Sequence, residues 1–145
     1  MSRSSETNKA IIRRYVEEVQ NNGNLALLDE IAAPTFVNHS SPPGVPPTLD
    51  GVKQLAQQVL AAFPDGTMTI EDMVGEGDKV ATRKTFRGTH QGAFLTLPPT
   101  GRRVEVALID VVRFEEGKAV EHWLEWDTFG MLQQLGALPA PGQTK

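Results

Sequence analysis

AVEHWLEWDTFGMLQQLG, residues 119–136, changes its period halfway along, and the reading of the whole chain turns on that change. In its first half Val120, His122, Leu124 and Trp126 alternate with Glu121, Trp123 and Glu125, the period of two that marks a strand. In its second half Phe129, Leu132 and Leu135 recur at helical spacing. Thr128 can act as the helix N-cap, and Gly136 stands where a C-cap glycine belongs. A strand with a histidine on its apolar side therefore runs into a short amphipathic helix. A lone histidine on a strand face is usually a satisfied structural residue, so the neighbours of His122 decide its role.

The 145 residues suit a single domain, with a core over about residues 6–138 between a short polar N-terminus and a Pro-rich C-terminal tail. A hydrophobic fraction of 39% is somewhat low but still globular. The net charge is −4, and the basic residues are scattered apart from Arg13-Arg14, Arg83-Lys84 and Arg102-Arg103, so no nucleic-acid partner is expected. No apolar run approaches the roughly 18 residues of a membrane span. The opening MSRSSETNK lacks the apolar stretch of a secretory signal, so a soluble cytoplasmic protein is expected. Without cysteine there is no disulfide, thiolate nucleophile or Cys-type zinc site. The three histidines form no HxxxH or HxH pattern, so no His-based metal site is expected.

Taken in order, about Glu6 to Asn21 reads as a helix with Ile11, Ile12, Tyr15, Val16 and Val19 on one stripe. Leu25 to Ile31 reads as a second, short helix before Pro34. After Phe36-Val37-Asn38-His39, four prolines between Pro42 and Pro47 forbid helix or central strand, leaving a stiff loop that either crosses the surface or rims a pocket. Asp50 starts a third helix, apolar at Val52, Leu55, Ala56, Val59, Leu60 and Phe63, which Pro64-Asp65-Gly66 stops. From there the chain is β. Strands are predicted over Met68–Val74, Lys79–Arg87, Val104–Phe114 and Ala119–Trp126, with an insertion carrying Phe94 and Leu95 between the second and third. Helices first and strands after predict an α+β fold, a curved antiparallel sheet with helices on one face.

The last hairpin carries the chemistry. A two-residue loop at Glu116-Gly117 would set Asp110 opposite Trp123. A three-residue loop with Gly117 in the left-handed position pairs Leu108 with Leu124 and Asp110 with His122, and the glycine favours it. Leu108, Asp110, Val112, Val120, His122, Leu124 and Trp126 then share one largely apolar face. A carboxylate and an imidazole facing each other there form either a pair buried for fold specificity or an acid/base pair in a pocket. The other face, with Glu105, Arg113, Glu121, Trp123 and Glu125, turns to solvent or to a second subunit.

Phe36-Val37-Asn38-His39, Gly88-Thr89-His90-Gln91-Gly92, Leu97-Pro98-Pro99-Thr100-Gly101-Arg102, and EHW with DTFGMLQQLG occur in an order and spacing that resemble the SnoaL-like polyketide cyclases. These belong with the wider ester cyclases to the superfamily of scytalone dehydratase, ketosteroid isomerase and nuclear transport factor. The resemblance implies a cone-shaped α+β barrel of the cystatin-like kind, a curved mixed sheet wrapped around N-terminal helices, with a deep apolar pocket. It also implies a homodimer or higher homo-oligomer built through the sheet, and aldol ring closure without metal or cofactor. Its pocket Asn falls on Asn38 and its terminal-strand His on His122. The catalytic Asp position two residues later is Leu124, the pocket His on the preceding strand is Asp110, and a pocket Gln is Leu108.

The expected function is cofactor-independent proton transfer next to a carbonyl, an aldol-type cyclase or isomerase acting on an apolar small molecule. Asp110 is the expected general base, its carboxyl raised by burial, with His122 orienting it or protonating an oxyanion. Asn38 is expected to donate to the substrate carbonyl. Tyr15, Phe36, Phe63, Phe86, Leu108, Leu124 and Trp126 are expected to form the pocket. Two alternatives are a non-catalytic module binding an apolar ligand in the same pocket and a dimeric interaction domain with a filled cone. Asp127 resembles a family aspartate before the last helix and reads as its cap, with Thr128 the alternative.

Overall fold

The computed structural model describes residues 3–94 and 96–138, so Leu95 and the C-terminal tail lie outside the described residues. Four helices, α1 (Arg3–Arg14), α2 (Leu27–Ile31), α3 (Leu49–Ala62) and α4 (Thr128–Gln134), accompany five strands. The strands are β1 (Ala32–Asn38), β2 (Thr67–Glu76), β3 (Lys79–Thr89), β4 (Arg103–Glu115) and β5 (Lys118–Trp126). They form one sheet in the order β1-β5-β4-β3-β2. The sheet is mixed rather than wholly antiparallel, because β1 pairs with β5 in parallel. The fold is the curved α+β cone expected from the resemblance.

The first helix departs from the predicted continuous one. After Arg14 the chain widens into a π-helical segment, Tyr15–Gln20. A π turn sets residues five apart over one another. Gln20 Nε2 accordingly lies 3.4 Å from the Tyr15 hydroxyl. Asn21 closes the segment by exchanging hydrogen bonds with the Met68 backbone, 2.6 and 3.0 Å, which pins it to β2. Thr48 caps α3 by accepting from Gly51 N–H at 3.4 Å. The Pro-rich loop runs so close to that turn that a Cβ on Gly51 would meet Pro46 O at 1.8 Å. Asp127, not Thr128, caps α4, its carboxylate accepting from Gly130 N–H at 2.8 Å. Gly136 ends that helix at φ 79°, a conformation glycine adopts without strain.

The β4–β5 hairpin corrects the predicted register. Its turn has two residues, Glu116 and Gly117, flanked by the pairs Glu115–Lys118 and Phe114–Ala119. Both turn residues have positive φ, 50° and 76°, as a type I′ turn requires. Beyond Phe114 the register shifts, and Arg113 pairs with Glu121. Val120 is thus an extra residue, a β-bulge. The resulting pairs are Val112–His122, Asp110–Leu124 and Leu108–Trp126. Turn and bulge together restore the expected facing, but His122 and Asp110 are diagonal neighbours rather than opposite ones.

Inside the cone the apolar residues form two main clusters. Ile12, Val16, Phe36, Val80, Val112 and Phe114 belong to one. Phe63, Phe86, Val106, Leu108, Met131 and Leu135 belong to the other. Between Val80 and Phe86 the inner face of β3 carries Thr82 and Lys84, both buried, and between Val112 and Leu108 that of β4 carries Asp110. A polar belt therefore separates two hydrophobic layers. The turn is open to test. Glu116→Asn should stabilise the protein by about 0.5–1 kcal/mol, because Asn tolerates positive φ better than Glu. Gly117→Ala should destabilise it by about 1 kcal/mol. Urea unfolding reads both, and a lower midpoint for Glu116→Asn would contradict the type I′ turn.

Candidate functional site

Lys84 and Asp110 are the charged centre of the belt, 1% and 3% exposed. Lys84 Nζ donates to Asp110 Oδ2 at 2.7 Å and to Gln20 Oε1 at 3.2 Å. It also lies 5.3 Å from the centre of the Tyr15 ring. The π segment is what brings Tyr15 and Gln20 to it together. Burial and the charge of Asp110 push the Tyr15 phenol upward, against a smaller pull from Gln20, so Tyr15 stays neutral.

Asp110 differs from the expected base in two respects. Burial pushes its carboxyl up, but the charge of Lys84, the interactions with His122 and the Lys84 hydrogen bond outweigh it together, and the carboxyl ends below its ordinary value. It is an ion-paired carboxylate rather than a raised one. Nor is His122 within hydrogen-bond reach, since His122 Nε2 lies 3.7 Å from Asp110 Oδ2. Lys84 takes the close position. The sequence held a signal for it, because Lys84 shares strand parity with Val80 and Phe86 on a face meant for apolar residues. Gln20 gave no such signal, since helical spacing does not foretell a π turn.

His122 is held from its other side. Asn38 Oδ1 accepts from Ser40 N–H at 3.1 Å, which identifies that atom as the amide oxygen. His122 Nδ1, 3.0 Å away, must then be the protonated nitrogen that donates to it. In the neutral ring this leaves Nε2 without a proton, beside Asp110 but not bonded to it. Both bonds of the Asn38 side chain use Oδ1, and its NH₂ group makes none among the described residues. Ser40, which no sequence pattern marks, lies in the turn after β1, accepts from Leu124 N–H at 2.7 Å and ties that turn to β5. Asp110 Oδ1 and Thr82 Oγ1, on residues paired across β3 and β4, are buried without a hydrogen-bond partner.

A cavity of about 50 Å³ opens beside this belt, lined by residues that include Ile12, Tyr15, Phe36, Leu49, Val52 and His122. Of the expected pocket residues only Tyr15 and Phe36 line it. Phe63, Phe86, Leu108, Leu124 and Trp126 pack instead into the second apolar cluster, with Phe63 edge-on to Phe86 at 5.2 Å and Trp126 6.0 Å from Phe86. Aromatic rings large enough to wall a pocket are here large enough to fill it. Among the described residues no group of three or more His, Asp or Glu could hold a metal ion. No helix among them is long and apolar enough to cross a membrane.

On the outer face His39 stacks on Trp123 at 4.8 Å and meets Glu121 at 2.7 Å. Glu121 also accepts from Arg113. Arg113 first, then His39, holds its carboxyl below the ordinary range.

The same fold recurs in solved structures. TsrD from Streptomyces laurentii superposes with a TM-score of 0.85 at 31% identity, covering 95% of this chain and 99% of that one. IdmH from Streptomyces antibioticus gives a TM-score of 0.77 at 39% identity, covering 93% and 99%. Nogalonic acid methyl ester cyclase of Streptomyces nogalater is 29% identical over 119 residues, 80% of this chain and 88% of that one. A family model described as SnoaL-like polyketide cyclase matches residues 10–135.

The lowered Asp110 carboxyl sets the sign of the pH dependence. Because the unfolded chain binds more protons in acid, the stabilisation is complete above the ordinary Asp value of about 3.9 and is lost as pH falls through the lower folded value. Urea unfolding of the wild type should therefore show stability falling below about pH 4. Asp110→Asn should show a flatter acid limb. It should also be less stable at neutral pH by about 3–5 kcal/mol, because Lys84 is left buried and unpaired. Equal acid slopes for the two proteins would refute the assignment.

Proposed function

The chain belongs to the SnoaL-like polyketide cyclase family, and on that premise we propose that it closes a ring by an aldol step, with His122 as the proton-transfer residue. The observation that carries this reading is the held imidazole at the cavity wall. Asn38 Oδ1 fixes the proton on Nδ1, and Asp110 stands 3.7 Å from the free Nε2. His122 Nε2 takes a proton from the carbon next to an ester carbonyl. The C–H electron pair becomes an enolate, whose oxygen the Asn38 NH₂ group meets. The enolate carbon attacks a second carbonyl of the same molecule, a C–C bond forms, and the alkoxide takes the proton back from His122. Asp110 stabilises the imidazolium between these steps without competing for its proton.

A polyketide is larger than the cavity, so binding must widen it. Leu49 and Val52 on the first turn of α3, both half-buried and next in the chain to the exposed Pro-rich loop, line one wall of it. The position that carries the family aspartate is Leu124, and it pairs directly with Asp110 across the ladder. A carboxylate thus stands on the neighbouring strand, within about 5 Å of the usual place as Cβ atoms go.

Turnover of nogalonic acid methyl ester and a panel of related methyl esters, followed by liquid chromatography and mass spectrometry, tests this. His122→Gln should lower kcat/KM by about 10²–10⁴. Leu124→Asp should create or raise aldol cyclase turnover. A wild type that binds these esters but turns over none would favour the binding-module reading instead. We also propose a homo-oligomer through the outer sheet face, where Ile109 is 50% exposed beside Val111 and Trp123. Light scattering at micromolar concentration should give a multiple of 15.8 kDa, and the monomer mass would end that proposal.

A further inference from the structure

The belt holds one charge that the proposed chemistry does not use. An ammonium has three N–H donors. Lys84 donates to Asp110 Oδ2 and Gln20 Oε1, and its Nζ lies over the Tyr15 ring, 5.3 Å from the centre, so the ammonium is committed to the belt and not to the cavity. Stability alone does not call for a lysine there. An apolar pair of similar volume is often neutral or stabilising where a buried ion pair stands, and the flanking residues Val80, Phe86, Leu108 and Val112 are apolar. The distances around Asp110 suggest another role. Its Oδ2 is shared unequally, 2.7 Å from Lys84 and 3.7 Å from His122, while Oδ1 has no partner. Among the described residues Lys84 is the one hydrogen-bond anchor of that carboxylate.

We propose that Lys84 is a positioning residue that acts through Asp110: it holds Oδ2 off the imidazole and offsets its charge, so that His122 Nε2 stays unbonded and open to a substrate proton instead of being tied to Asp110. This deepens the reading of His122 as the base and rests on it. The ionisable groups on the inner side of the ring are Asp110 from β4, Lys84 from β3 and Tyr15 from the π segment. His39 in the turn after β1, Glu121 of β5 and Arg113 of β4 interact on the outer face, with Glu121 accepting from Arg113 and meeting His39. Without Lys84 the full charge of Asp110 falls on His122.

The ring nitrogens of His122 can be followed by long-range ¹H–¹⁵N NMR over about pH 5–9, with no substrate present. In Lys84→Met the ring should take up its proton about one pH unit higher than in the wild type. Lys84→Gln, which keeps a donor to Asp110 and is easier to fold, should move it in the same direction. Superimposable titrations of the wild type and either folded variant overturn the inference. In the nogalonic acid methyl ester assay the acid limb of the kcat/KM profile for Lys84→Met should move to higher pH, with its plateau kept within about threefold. A profile lowered equally at every pH would instead make Lys84 merely structural. The reading of His122 as base fails separately, if His122→Gln keeps full turnover, and the titration result stands whichever way that assay falls.

Discussion

The interior of this protein is arranged around the ion pair of Lys84 and Asp110. Taking two such charges out of water costs several kcal/mol each, so they persist only with close contact and further hydrogen-bond partners. The 2.7 Å contact meets the first condition. Gln20 meets the second and the Tyr15 ring adds a cation–π contact, and both residues come from the π turn into which the first helix widens. The pair also requires β3 and β4 to keep the register that sets Thr82 opposite Asp110, with Lys84 on the diagonal. A slip of one residue between them would put the two charges on opposite faces of the sheet and break the pair.

The second constraint lies in the hairpin. With its two-residue turn alone, β5 would present Trp123 to Asp110 and leave His122, Leu124 and Trp126 in solvent. The extra residue Val120 reverses that parity. One bulged position therefore decides which side of β5 is the site. It also makes His122 a diagonal neighbour of Asp110, far enough to leave Nε2 unbonded and near enough to feel the charge.

These two features give the proposed chemistry its division of labour. The imidazole stands at the cavity wall, the carboxylate lies behind it, and the lysine lies behind the carboxylate. Asn38, carried by the parallel edge strand β1, fixes the tautomer through Nδ1. No single strand carries this arrangement. Each of β1, β3, β4 and β5 contributes one side chain, and the π segment contributes two.

Much of this was legible in the residues. Alternation placed His122 and Asp110 on one face, the Pro64-Asp65-Gly66 stop divided helix from sheet, and Asn38, His122 and the cap at Asp127 followed from the resemblance. These are local or periodic properties, and a period of two or 3.6 survives into the fold wherever one face is buried. The register of the last hairpin was not legible, because turn type and bulge are chosen by how the whole strand packs, and Gly117 suits either loop. The direction of the Asp110 shift was not legible either. It depends on a lysine 26 residues away that only the sheet brings within 2.7 Å. The same holds for the aromatic residues, since whether Phe63, Phe86 and Trp126 line a space or fill it is a matter of volume. The sequence by itself determined the α+β order of elements and the facing of the last strands through patterning, and the cone through the resemblance. Only the tertiary structure decided which side chains hold charge, which hold a proton and which merely pack, because those properties belong to distances between strands.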